Sequence, residues 1–163
     1  MPGCAPTLWH DPEGFRRAYL LDFPGWYRTG DAGMVDAEGD VWVMGRTDDI
    51  INVAGHRLST GAMEEVLAAH PAVAECAVVG VQDALKGQVP LGLVVLKSGA
   101  GQDHAAVCRE LVALVRERIG PVAAFKDARV VARLPKTRSG KILRGAIRRL
   151  ADGQNAPPPP TID

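Results

Sequence analysis

DDIINVAGHRLSTGAMEEVLAAHP, residues 48–71, contains the change of pattern that decides the fold. Ile50-Ile51-Asn52-Val53 is a β-branched run closing on Gly55, which predicts a strand and then a turn. Ser59 stands where its hydroxyl can cap a helix, and Met63, Val66, Leu67 and His70 recur at helical spacing until Pro71 stops them. The same alternation continues outward. Residues 73–81 and 91–96 are apolar runs of strand length, joined by the polar, Gly-containing stretch 82–90. Between residues 103 and 119, Val107, Leu111, Leu114, Val115 and Ile119 form a helical stripe that Gly120-Pro121 ends. A last strand over 128–134, a glycine-containing loop LPKTRSGK over 134–141, and a helix over 142–150 with Ile142, Leu143, Ile147 and Leu150 inward complete the set. The tail QNAPPPPTID reads as extended and mobile. Short strands alternating with amphipathic helices over residues 48–152 predict a small α+β domain, with a Pro-rich tail over 153–163.

Residues 1–47 are chemically different. Seven of the eight aromatics, Trp9, Phe15, Tyr19, Phe23, Trp26, Tyr27 and Trp42, lie there, and only Phe125 lies beyond. So few residues bury too little surface to be stable unaided, so they read as the end of a larger body.

Net charge is zero, yet residues 126–163 hold nine Lys+Arg against three Asp+Glu, and residues 1–125 hold ten against sixteen. That polarity points the C-terminal stretch toward an anion, with a solvated basic face as the alternative. Cys4, Cys76 and Cys108 lack CxxC spacing and are odd in number, so neither a disulfide framework nor a zinc site is indicated, and no metal ligands are assigned. No apolar run reaches the ~20 residues that span a bilayer, and no basic-then-apolar leader opens the sequence, which together favour a cytoplasmic location without a membrane partner.

TRSGK resembles a phosphate-binding P-loop only superficially, because Ile142 follows Lys141 where Ser or Thr is required and Pro135 occupies the first Gly position. Nucleic-acid binding through KTRSGKILRGAIRRL lacks any aromatic to stack a base. Four clusters combining Gly with Arg, Lys or Asp remain: YRTGD (27–31), GRTDD (45–49), NVAGHR (52–57) and PKTRSGK (135–141). In this order they resemble the acyl-activating, adenylate-forming superfamily. GHRLSTGAMEE, HPAVAECAVVG, LKGQVP, IGPVAAF and LPKTRSGK are most similar to short-chain acetyl- and propionyl-CoA synthetases, the AMP-forming kind, especially the propionyl type.

The resemblance implies the mobile C-terminal domain of that fold, preceded by a remnant of the large AMP-binding domain. It also implies two half-reactions. A short-chain carboxylic acid such as propionate or acetate attacks the α-phosphate of ATP, with Mg2+ accompanying ATP, to give acyl-AMP and pyrophosphate; the thiol of coenzyme A then displaces AMP. The C-terminal domain rotates between the two steps. By the same resemblance, Asp31 accepts hydrogen bonds from the adenylate ribose and Arg46 contacts that ribose or its phosphate. Asp48 is the hinge. Gly55 leaves room for the pantetheine arm of CoA, Arg57 meets a phosphate, and Arg116 lies near the CoA nucleotide. Lys141 is the catalytic cation that reaches between carboxylate and α-phosphate, and it is a target for a lysine acyltransferase and deacylase. The phosphate loop, adenine pocket and acyl pocket have no counterpart in the sequence, so the chain is expected to be an inactive piece that needs an N-terminal AMP-binding body as partner. The alternative is a free-standing CoA- or nucleotide-binding module that docks on a separate ligase body.

Overall fold

The computed structural model describes residues 5–99 and 103–154, with the side chains of Met44, Gly45 and Asp48 outside that set. Cys4 and residues 155–163 of the tail also lie outside it. The chain divides into two compact units, one ending at Asp48 and the other beginning at Asp49.

The first unit contains helix α1 (Pro12–Tyr19) and the antiparallel strands β1 (Asp31–Val35) and β2 (Val41–Arg46). Asp11 caps α1 by accepting from the Gly14 N–H at 2.8 Å, and Pro12 is preset for the first helical position. Phe15 is buried against Tyr19 and Tyr27, whose rings stack at 5.0 Å. The Asp36 carboxylate organises the β1–β2 turn by accepting from Trp42 Nε1 at 2.7 Å and from the Asp40 and Glu38 N–H groups, and these bonds lower its pKa, the Trp42 bond most. The rest of the apolar surface is uncovered: Trp9 is 87% exposed and Trp26 77%.

The second unit is a five-stranded sheet with helices on both faces. Its strands are β3 (Ile50–Val53), β4 (His56–Ser59), β5 (Val73–Asp83), β6 (Gly87–Leu96) and β7 (Asp127–Val130), with spatial order β4-β3-β6-β5 and β7 parallel to β6. Its helices are α2 (Thr60–Ala68), α3 (His104–Arg118) and α4 (Arg144–Ala151). The pleat sorts the side chains. Val78 and Val94 join Met63, Leu67, Leu111, Val115 and Phe125 on the α2/α3 face, whereas Ala77, Val79 and Leu91 meet Leu134 and Ile147 on the α4 face. Phe125 lies directly over Gly92, where an added Cβ would stand 2.6 Å from its Cζ.

The predicted helix starts hold: Ser59 accepts from Ala62 N, and Asp103 from Ala106 N. The expected loop over 82–90 is instead mostly strand, because β5 and β6 pair without a break from Glu75↔Val95 to Asp83↔Gly87 and Asp83 closes the turn by accepting from the Leu85 and Lys86 N–H groups. Polar residues in this hairpin reflect exposure rather than a loop. The last strand is shorter than residues 128–134, ending at Val130, while Leu134 turns into the α4-side core. The terminal helix begins at Arg144 rather than Ile142, since Ile142 bridges Lys136 in a small hairpin; Leu150, expected inward, is 65% exposed.

Candidate functional site

In the first unit, the β1–β2 register sets Asp31 opposite Arg46. Arg46 Nη1 donates to the Thr29 carbonyl at 2.8 Å and to Asp31 Oδ1 at 3.3 Å, while the Thr47 N–H and hydroxyl both donate to the Gly30 carbonyl. These contacts lock the strand entrance and leave the Asp31 side chain partly exposed, an acceptor-only group beside a cation. Two of the sequence-predicted residues are thus adjacent. Asp48 falls in the 3-10 turn Thr47–Asp49, at the boundary between the units.

In the second unit, Ala54 (φ 47°) and Gly55 (φ 87°) form the two-residue turn between β3 and β4, with positive φ at both positions as a type I′ turn requires. The Ala54 N–H donates to the Lys86 carbonyl at 2.9 Å, and Gln88 Oε1 accepts from the Asn52 N–H, so the turn is tied to the closed end of the β5–β6 hairpin. Nothing lies within 4 Å of a Cβ built on Gly55; the space beside it is open. Arg57 is exposed on β4 opposite Asn52, and Arg116 is exposed on α3; neither makes a side-chain ion pair among the described residues.

Lys141 projects from a tight hairpin. Pro135 O accepts from Leu143 N, Lys136 bridges Ile142, Thr137 N donates to Lys141 O, and Thr137 Oγ1 accepts from Lys141 N at 3.1 Å. One arm is held by Lys136 Nζ on Glu75 Oε1 of β5 at 2.7 Å. The other is held by Arg144, whose Nε and Nη2 grip the two Glu64 oxygens at 3.1 and 2.6 Å. Glu64 belongs to α2, and its Oε1 also accepts from Val78 N of β5 at 2.8 Å. The hydrogen bond to Glu64 raises the Arg144 pKa further.

Sequence reasoning did not single out Glu64 or Arg144. Their partnership spans eighty residues; the one sequence signal was an acid beside the buried positions of α2.

The Lys141 hairpin is anchored at Glu75, and the Gly55 turn at the loop that follows Asp83, so eight residues of β5 separate the two anchors. At ~3.3 Å per strand residue that is about 26 Å, far beyond the reach of a lysine side chain.

Cys76 and Cys108 are free and partly buried; Cys76 donates to the Glu64 carbonyl, and burial first, then Glu64, pushes its thiol up to about 11. Among the described residues no cluster of three His, Cys, Asp or Glu is placed to hold a metal ion, and no helix is long and apolar enough to cross a membrane.

The profile of the AMP-binding enzyme C-terminal domain matches residues 62–141. Over 162 residues the chain is 62% identical to an uncharacterized protein of Pseudomonas aeruginosa, which covers 99% of this chain and 26% of that protein. Over 162 residues it is 52% identical to the mitochondrial acyl-CoA synthetase short-chain family member B of Dictyostelium discoideum, covering 99% and 24%. The chain therefore spans about a quarter of the length of the curated relatives it matches. Among solved structures, ATP-bound MatB from Rhodopseudomonas palustris is similar with a TM-score of 0.69 and 26% identity, over 90% of this chain and 28% of that one.

Proposed function

Because this chain carries the C-terminal domain of the adenylate-forming AMP-binding enzymes and is similar along its length to short-chain acyl-CoA synthetases, we propose that it serves a ligase that joins a short-chain carboxylic acid to coenzyme A through acyl-AMP. The observation that carries this reading is the alignment of nearly the whole chain with relatives of that name, in a region that includes Lys141, Gly55 and Asp31. Propionate or acetate is the acid. ATP is the adenylyl donor, passing AMP to the acid and releasing pyrophosphate, as the presence of ATP on the MatB structure supports. Mg2+ enters with ATP.

Lys141 supplies the cation for the first half-reaction, lowering the repulsion as the carboxylate oxygen approaches the α-phosphate. Asp31 accepts from the ribose hydroxyls, and Arg46 contacts the same ribose or its phosphate. In the second half-reaction the open space beside Gly55 admits the pantetheine arm, with Arg57 on a phosphate of CoA and Arg116 near its nucleotide. The separation of the two anchors supports rotation of residues 48–152 about Asp48, since a single reaction centre cannot meet Lys141 and the Gly55 turn at once. Residues 1–47 then belong to the AMP-binding body, 153–163 form a tail, and the chain without that body is inactive. An exposed Lys141 is also open to a lysine acyltransferase and deacylase, which would switch the first half-reaction. The cytoplasm is the compartment this reading assigns.

The test is pyrophosphate exchange with ATP and propionate or acetate by a full-length ligase carrying this segment, with and without Lys141→Ala. Exchange that survives the substitution undiminished refutes the role of Lys141.

A further inference from the structure

We propose that Glu64 and Arg144 are positioning residues for Lys141, forming a two-pronged clamp that fixes the hairpin from which Lys141 projects. The proposal rests on the reading of Lys141 given above. Among the described residues Lys141 itself is held only through its main chain and Thr137, and its exposed side chain has four rotatable bonds. Something else must set where the hairpin points. Lys136 and Arg144 flank it, and each ends on an acid of a different element, Glu75 on β5 and Glu64 on α2.

The two anchors are not equal. Lys136 is a single-point contact with side chains 36% and 42% exposed, so solvent competes with it. Arg144–Glu64 is bidentate, with Glu64 only 16% exposed, and the fork fixes orientation as well as distance. Glu64 is itself held by Val78 N, which refers the clamp to the middle of the edge strand β5 rather than to another loop. Arg144 also opens α4, so releasing it frees the hairpin and the first turn of the helix together. A cation acting on a developing charge loses most of its effect when displaced by about 1 Å, and a loosened hairpin does this without removing the charge.

Nuclear relaxation on the 163-residue chain reads the clamp directly. In the wild type the Ser139, Gly140 and Lys141 amides are expected near the rigid-backbone order parameter of ~0.85, and in Glu64→Gln and Arg144→Lys to fall below ~0.6. Both variants keep hydrogen-bonding capacity and are mild enough to fold. Ile147→Val, which loosens the packing of α4 without touching the clamp, should leave these amides unchanged. Unchanged order in both clamp variants, whatever their melting temperature, overturns the proposal. In a full-length ligase, the same two variants should lower the maximal rate of acyl-AMP formation at least tenfold with the KM for the acid unchanged, and transfer from ready-made acyl-AMP to CoA should be spared. Loosened amides with undiminished acyl-AMP formation also overturn it. If Lys141→Ala itself leaves acyl-AMP formation intact, the reading of Lys141 fails instead, while the clamp seen by relaxation stands.

Discussion

The Asp31 carboxylate and the Arg46 guanidinium meet across the β1–β2 ladder at 3.3 Å, with 37% of the Asp31 side chain and 47% of the Arg46 side chain in solvent. A pair so exposed contributes roughly 0–1 kcal/mol to stability. Asp31→Asn should therefore change the denaturation midpoint of the chain very little. In a full-length ligase the same substitution should weaken AMP binding, measured by calorimetry, more than tenfold. A large loss of stability with unchanged nucleotide affinity assigns Asp31 to the fold instead of the site.

Gly55 is constrained by its backbone and not by its neighbours. With φ at 87° and no atom within 4 Å of an added Cβ, Gly55→Leu should cost about 1–2 kcal/mol in chemical denaturation through left-handed strain alone. Gly55→Asn, which tolerates that conformation, should cost less than half as much. Equal losses for the two would point to a steric contact rather than to φ.

Gly92 behaves in the opposite way. An added Cβ would collide with the Phe125 ring at 2.6 Å, and the ring is packed beneath α2, so Gly92→Ala should destabilise by about 1–3 kcal/mol. Gly92→Ala combined with Phe125→Leu should cost less than the sum of the two single changes. Additive losses would show that the ring and the glycine do not meet.

Much of the second unit was legible because its signals are local. The Ser59 cap, the Met63/Leu67 and Leu111/Val115 stripes and the β-branched run at Ile50 each declare an element within a few residues. The errors came from long-range pairing. Gln82, Gln88 and Pro90 read as loop, yet they are strand because β5 and β6 are each other's template. Ile142 read as helix, yet its partner is Lys136. Arg144–Glu64 was invisible for the same reason, as no spacing rule joins α2 to α4. Lys141, Gly55, Asp31 and Arg46 were picked out as candidates through the order of four short motifs; their geometry follows from the strand register and turns that hold them.

The chain by itself should give no ATP–pyrophosphate exchange with acetate or propionate above a boiled control, since the expected phosphate loop and acyl pocket are not among its residues. Saturable exchange would contradict this. Tight, saturable CoA binding by the chain alone would favour the free-standing binding module.

The most direct measurement separates the two half-reactions in a full-length ligase carrying this segment, comparing Lys141→Ala with Gly55→Asn. Lys141→Ala should depress acyl-AMP formation by a hundredfold or more, the loss of ~3 kcal/mol or more of charge stabilisation, yet still convert supplied acyl-AMP and CoA to the thioester. Gly55→Asn should retain pyrophosphate exchange and lose the transfer to CoA, because its side chain enters the open space beside the turn. If both substitutions impair both half-reactions equally, Lys141 and Gly55 do not serve separate steps, and the alternation between the two ends of β5 is wrong.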